Sequence, residues 1–310
     1  MDEREALARL ADSLPSAGDD CAVVGDRVLT TDMLHETTDF PAGVDRYTAG
    51  WRAVGASLSD VAAMGADAEA AVAAYGAPRF DPEEVDEFVR GAREVCGAVG
   101  AEYVGGDLDR HDEFTVATTA LGATDDPVRR GGAARGDVVC VTGTVGRSAA
   151  ALRAFERGDA ERGNDLFRFT PRVAAGVALR PYATAMMDSS DGLARSLHQL
   201  VAASDTADLG MDVTESAVPV DGAVDDLFDD PDDRREAALF FGEDFELVFT
   251  LPSDAVDAAR AASPTPFATV GNVTWDGVRM DGDPLPDRGY GHGGGDSEGD
   301  TGGDGNGRSE

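Results

Sequence analysis

Acidic residues beside glycine, serine or threonine recur along this chain at the edges of apolar runs. They stand in Gly18-Asp19-Asp20, Thr30-Thr31-Asp32, Ser59-Asp60, Gly105-Gly106-Asp107, Asp188-Ser189-Ser190-Asp191-Gly192 and Gly242-Glu243-Asp244. Carboxylates on tightly turning backbone suit hard cations such as Mg²⁺, which take oxygen ligands. Singly, each string reads as a turn or a helix cap. Their repetition in both halves of the chain favours one shared, multi-cation site that handles phosphate. All 26 basic residues are arginine, so phosphate must be met by magnesium, arginine or backbone N–H groups.

Two further features bear on phosphate. Gly143-x-x-Gly146-x-Ser148, between a strand and a helix, is either an anion cradle of backbone N–H groups or a packing loop. It lacks the lysine of a Walker motif. Arg129 and Arg130 either clamp phosphate through their planar forks or are simply solvated. No Ser/His/Asp or Cys/His arrangement is legible, so no covalent catalytic nucleophile is expected. Cys21 adjoins Asp20, and a neighbouring carboxylate raises a thiol pKa, so Cys21 reads as structural. Cys96 and Cys140 are equally isolated, with no C-x-x-C spacing, which argues against zinc and against disulfides.

The elements that would position these residues follow from periodicity. Residues 4–14 have leucines at helical spacing. Cys21–Val24 and Val28–Thr31 flank Gly25-Asp26-Arg27 as a hairpin. A turn centred on Asp26 sets Asp20 opposite Asp32, about 5 Å away, where two carboxylates repel unless a cation separates them. Over residues 47–64, Trp51, Val54, Leu58 and Val61 form one apolar stripe with Asp60 off it, facing solvent or a cleft. Asp81-Pro82 opens a helix over 82–99. Strands are expected at 114–121, 138–141 and 183–187, and a helix after Gly192. A half-buried strand is expected from Glu243, because Phe245, Leu247, Phe249 and Leu251 alternate. The Arg-, Gly- and Pro-containing stretch 125–136 reads as a domain boundary. Residues 291–310 contain no hydrophobic side chain and are expected to be disordered.

Composition sets the class. A length of 310 residues suits one large or two medium domains, and 42% hydrophobic content supports ordinary cores. The net charge of −34 is spread along the chain, as in adaptation to a salty cytosol where screening is strong. Such a surface repels nucleic acid and anionic membranes. No apolar stretch approaches the roughly 20 residues that span a bilayer. The acidic start lacks the features of a signal peptide, so a cytoplasmic location is expected.

The ordered series is more specific than any one string. Gly18-Asp19-Asp20-Cys21-Ala22, Thr30-Thr31-Asp32-Met33-Leu34, Leu58-Ser59-Asp60-Val61-Ala62-Ala63-Met64-Gly65-Ala66, Gly105-Gly106-Asp107, Val141-Thr142-Gly143, Asp188-Ser189-Ser190-Asp191-Gly192-Leu193 and Gly242-Glu243-Asp244-Phe245-Glu246-Leu247 resemble, in order and spacing, the thiamine-monophosphate kinase family. The lysine-free composition resembles its haloarchaeal members. The resemblance implies a two-domain α+β architecture of the aminoimidazole-ribotide-synthetase-like superfamily, with mixed sheets flanked by helices. Residues 1–125 would bind ATP and magnesium and form a homodimer. Residues 126–290 would be a C-terminal α+β domain, and 291–310 a tail. It implies ATP-dependent phosphorylation of thiamine monophosphate to thiamine diphosphate.

Carried over by residue, Asp20, Thr30, Thr31, Asp32, Asp60, Asp107, Asp188 and Asp191 would hold several Mg²⁺ ions. Gly106, Asp107, Arg130 and Ser190 would contact ATP, and Asp39, Glu243 and Tyr290 the thiamine phosphate. Asp39 stands where the family often has histidine, Leu108 where a hydroxyl residue is common, Ser57 for a frequent asparagine and Phe245 for a frequent tyrosine. Related enzymes such as selenophosphate synthetase and a hydrogenase-maturation protein use a reactive cysteine near one end of the chain; here the last cysteine is Cys140.

Overall fold

The computed structural model describes residues 14, 18–204, 206 and 208–289. The expected helix over 4–14 lies outside these, apart from Leu14, as do Tyr290 and the tail. Two mixed sheets carry the architecture. The first uses β1 (Ala22–Val24), β2 (Arg27–His35), β3 (Asp67–Ala77), β4 (Glu102–Arg110) and β5 (Thr115–Ala123), in the order β1-β2-β5-β3-β4. Only β3 and β4 pair in parallel. A short turn of helix, α1 (Glu36–Asp39), follows β2. Helices α2 (Arg46–Ala63) and α3 (Pro82–Ala98) cover one face of the sheet.

Period-two alternation sorts β2 cleanly. Val28, Thr30, Asp32 and Leu34 face the helices, while Leu29, Thr31 and Met33 face away. Register extends this second face across the sheet, because opposed residues point the same way. Met33 lines up with Ala117, Ala74 and Asp107, and Thr31 with Thr119, Val72 and Gly105. Among the described residues nothing covers this face, and Met33 and Val104 remain 56% and 58% exposed.

The second sheet comprises β6 (Asp137–Thr142), β7 (Ala185–Asp188), β8 (Leu209–Val213), β9 (Leu247–Pro252), β10 (Phe267–Trp275), β11 (Gly277–Met280) and β12 (Asp283–Pro284), in the order β12-β11-β8-β10-β6-β9-β7. Between its strands run α4 (Arg147–Glu156), α5 (Ala160–Phe167), α6 (Val173–Leu179), α7 (Leu193–Ala203), α8 (Gly222–Leu227), α9 (Pro231–Leu239) and α10 (Val256–Ala262). Val139 and Val141 pack toward α7, whereas Val138 and Cys140 pack toward α6 and α10. With helices on both faces, β9 is buried from Leu247 to Leu251. The half-buried strand expected there is therefore a fully buried one. It begins at Leu247, because residues 242–246 form a loop.

Helix α2 serves both sheets. Its middle packs on the first, while Ala62 and Ala63 join the core of the second. It crosses α3 at unusual proximity: a Cβ on Gly50 would sit 2.1 Å from the Phe88 carbonyl oxygen, and one on Gly91 2.0 Å from that of Tyr47. Only glycine at both positions permits that approach.

Candidate active site

The β1–β2 loop is the two-residue Gly25-Asp26, with Ala22 opposite Leu29 and Val24 opposite Arg27. The expected register was one residue off, and in it Asp20 would face Asp32. The ladder instead stops at Ala22. Residues 18–21 bend, and the Asp20 side chain turns into the interior. There it meets Asp60 from the last turn of α2 and Asp188 from the end of β7. One carboxylate oxygen from each lies within 4.8 Å of the others. Asp60 thus faces other carboxylates, not open solvent. Asp32 neighbours it, held by a hydrogen bond from Ser57 Oγ to Asp32 Oδ2 of 2.6 Å. Thr30 Oγ1 donates to Asp60 Oδ2 at 2.6 Å.

The electrostatics of this group are unfavourable without a cation. Burial, and then Asp20, push the Asp188 carboxyl up to about 7. Burial and the charges of Asp32, Asp188 and Asp20 raise Asp60 as well. Ser190 donates to Asp188 Oδ1 from its N–H and its hydroxyl, at 3.2 and 2.8 Å, while Asp188 Oδ2 is buried with no hydrogen-bond partner among the described residues. An orphaned carboxylate oxygen beside two more carboxylates is a donor set that fits Mg²⁺. Arg130 supplies part of the compensation, in a bidentate pair with Asp20 at 3.0 Å on both oxygens. Cys21 lies among these aspartates. Burial first, then Asp60, Asp20, Asp32 and Asp188, push its thiol up, away from nucleophilic reactivity.

The other expected site residues are dispersed. Thr31 and Asp107 lie on the open face of the first sheet, across it from Thr30 and Asp32. Thr31 Oγ1 donates to the Thr118 carbonyl, and Asp107 Oδ1 accepts its neighbour's N–H. Gly106 is on edge strand β4, where a Cβ would lie 1.9 Å from the Ala73 carbonyl oxygen. Asp191 accepts from Gln199. Asp39 is buried at the end of α1, accepting from the His35 N–H and the Thr38 hydroxyl.

The Gly143–Ser148 loop does cradle an anion on backbone N–H groups, but the anion belongs to the protein. Gly146 N and Ser148 N donate to the two oxygens of Asp244 at 2.5 and 2.9 Å. Thr142 Oγ1 and Arg172 hold Glu246 in turn. These pairs anchor the loop 242–246, which also bonds to the 188–192 turn through Glu243 N to the Ser190 carbonyl and Glu246 N to Ser189 Oγ. Glu243 ends at the tip of this loop, paired with Arg52 of α2 at 2.7 Å. Sequence reasoning passed over Arg52. Its signal was a cation in mid-helix flanked by apolar residues, Trp51 on one side and Ala53-Val54 on the other.

Comparison with known proteins agrees with this geometry. Residues 18–124 match the family described as AIR synthase related protein, N-terminal domain. The chain is 62% identical over 294 residues to the thiamine-monophosphate kinase of Halobacterium salinarum, covering 94% of this chain and all of that protein. It is 40% identical to the enzyme of that name from Methanospirillum hungatei, with 94% and 99% covered. Among solved structures, AaThiL complexed with AMPPCP and TMP superposes with a TM-score of 0.83 at 26% identity, over 93% of this chain and 96% of that one. With the ordered motifs, the two mixed sheets and the aspartates gathered between them, identity at this level over nearly the whole length leaves one assignment: the chain belongs to the thiamine-monophosphate kinase family.

Proposed function

We propose that this chain, as a cytoplasmic homodimer, transfers the γ-phosphoryl group of ATP directly to the phosphate of thiamine monophosphate. An acceptor phosphate oxygen forms the new P–O bond, the bond between the γ-phosphorus and the β–γ bridging oxygen breaks, and ADP leaves with that electron pair. A phosphate acceptor is already ionised, so no general base is required. The obstacle is that two polyanions must meet inside an acidic protein. Asp20, Asp60 and Asp188, with Asp32 and Thr30 beside them, would hold the magnesium ions, which when bound neutralise phosphate oxygens. Arg130 and Ser190 adjoin the same aspartates and would contact ATP together with Gly106 and Asp107. Glu243, Asp39 and Tyr290 would contact the thiamine phosphate, and Asp191 would complete the magnesium set.

The observation that carries the reading is the grouping of Asp188 with Asp20 and Asp60, where Asp188 Oδ2 is a buried carboxylate oxygen without a hydrogen-bond partner among the described residues. The domain division at residue 125 and the homodimer belong to the same reading. Leu29, Met33, Val72 and Val104 line an apolar sheet face that the described residues leave uncovered, of the kind that marks protein association. All three cysteines are buried, which counts against the thiol chemistry of the related enzymes. The test is the purified protein in concentrated KCl with Mg-ATP and thiamine monophosphate. Thiamine diphosphate and ADP should accumulate in equal amounts and cease with EDTA. A folded protein that yields no thiamine diphosphate would overturn the proposal.

A further inference from the structure

Arg52 is among the largest fully buried side chains, with 1% exposure, yet it carries a charge. Its guanidinium is held from several directions. Nη1 donates to the Phe167 carbonyl at 2.7 Å, and Nη2 to the Glu243 carbonyl at 2.9 Å and to Glu243 Oε2 at 2.7 Å. The guanidinium carbon stands 3.6 Å from the centre of the Phe167 ring. The Phe169 and Phe245 rings stack on each other at 4.2 Å and close the same compartment. Ser148 Oγ shares the Glu243 carbonyl, donating to it at 2.6 Å. Arg52 therefore grips both ends of one residue, its main chain and its carboxylate, from a helix rooted in the first sheet.

Glu243 needs that grip. Its φ is +63° and that of Phe245 is +55°, left-handed backbone that side chains other than glycine adopt only when their surroundings enforce it. A glutamate on an unsupported loop would neither keep that backbone nor aim its carboxylate. We propose that Arg52 is a positioning residue: it fixes the backbone and carboxylate of Glu243 in the orientation that receives the thiamine phosphate substrate. This rests on the reading of Glu243 as a substrate contact. Lysine would keep the charge but lacks the planar fork that spans a carbonyl and a carboxylate on one side and a second chain segment on the other.

The test compares wild type with Arg52→Met, Arg52→Lys, Glu243→Gln and the double variant Arg52→Met/Glu243→Gln. In Arg52→Met the KM for thiamine monophosphate should rise about ten- to a hundredfold, the size of one lost charged hydrogen bond, with the KM for ATP within about twofold of wild type. The double variant should be no worse than the worse single one, because both changes break the same contact. Arg52→Lys should show the same split to a smaller extent, and serves alone if Arg52→Met does not fold. A parallel rise in both KM values, an unchanged KM for thiamine monophosphate, or additive effects in the double variant would overturn the inference. Hydrogen exchange of residues 242–246 separates failure of the tether from failure of the kinase reading. If wild type forms no thiamine diphosphate while Arg52→Met accelerates exchange in this loop alone, the reaction is wrong and the tether stands. If exchange there is unaltered, the tether falls whatever the activity.

Discussion

At the scale of the residue, the site is defined by charges that burial makes costly. Asp188 shows the sign most plainly. Its carboxyl is held near 7, against an ordinary value of 3.8, first by burial and then by Asp20. The folded state therefore retains a proton that the unfolded chain has lost. Stability from this group is present at low pH and is lost as pH rises toward and through about 7. Replacing the carboxylate by an isosteric amide removes that repulsion together with a metal ligand. Asp188→Asn should melt about 1–2 °C above wild type in magnesium-free buffer at pH 8, the shift expected for about 1 kcal/mol in a chain of 310 residues, and with a shallower dependence on pH. The same variant should lose turnover by at least about a hundredfold at saturating Mg-ATP. Calorimetry across pH 5–8, alongside a product assay, checks both halves. A variant that melts lower than wild type, or that keeps turnover, would show that Asp188 is an ordinary cap.

At the scale of the element, precision comes from close backbone approach and from loops anchored at a distance. The crossing of α2 and α3 at Gly50 and Gly91 seats α2 so that Ser57 and Asp60 meet Asp32 and Thr30. Gly91→Ala places a methyl group against the Tyr47 carbonyl, so the helices must separate. We expect a loss of about 1–3 kcal/mol, as for an overpacked core, and a larger fractional loss of activity than of folded protein. Denaturant titration and specific activity would check it, and an unchanged midpoint would show that the crossing tolerates a side chain. How far the elements were legible depends on how local their causes are. Helix α3 follows from Asp81-Pro82 at its start, and the aspartate strings follow from their own neighbours. The hairpin slipped by one residue because Gly25 and Asp26 alone make the turn. The Gly143–Ser148 cradle was recognisable as an anion site, but its anion, Asp244, lies about a hundred residues away in sequence and only the fold delivers it. Arg52 was hidden for the same reason, since each group that neutralises it comes from another part of the chain.

At the scale of the whole molecule, a net charge of −34 and an apolar sheet face that the described residues leave uncovered act together. Two copies meeting on that face would bury Met33, Val72 and Val104, and would enclose Thr31 and Asp107, expected site residues that one chain leaves apart from the aspartate cluster. Such a dimer must also overcome repulsion between two strongly acidic bodies. The Debye length is about 3 Å at 1 M salt and about 10 Å at 0.1 M, so the apolar contact wins only where salt is concentrated. Sedimentation in about 3 M KCl should therefore report a dimer that dissociates as KCl is lowered toward about 0.2 M, where screening reaches too far to hide the charges. Met33→Asp adds a charge to the middle of the face without touching the aspartate cluster, and should give a folded monomer at every salt concentration. If the enclosed face completes the site, that monomer should also turn over more slowly than wild type by about tenfold or more. A Met33→Asp protein that remains dimeric in concentrated KCl would place the contact elsewhere, and a fully active monomer would show that each chain carries a complete site.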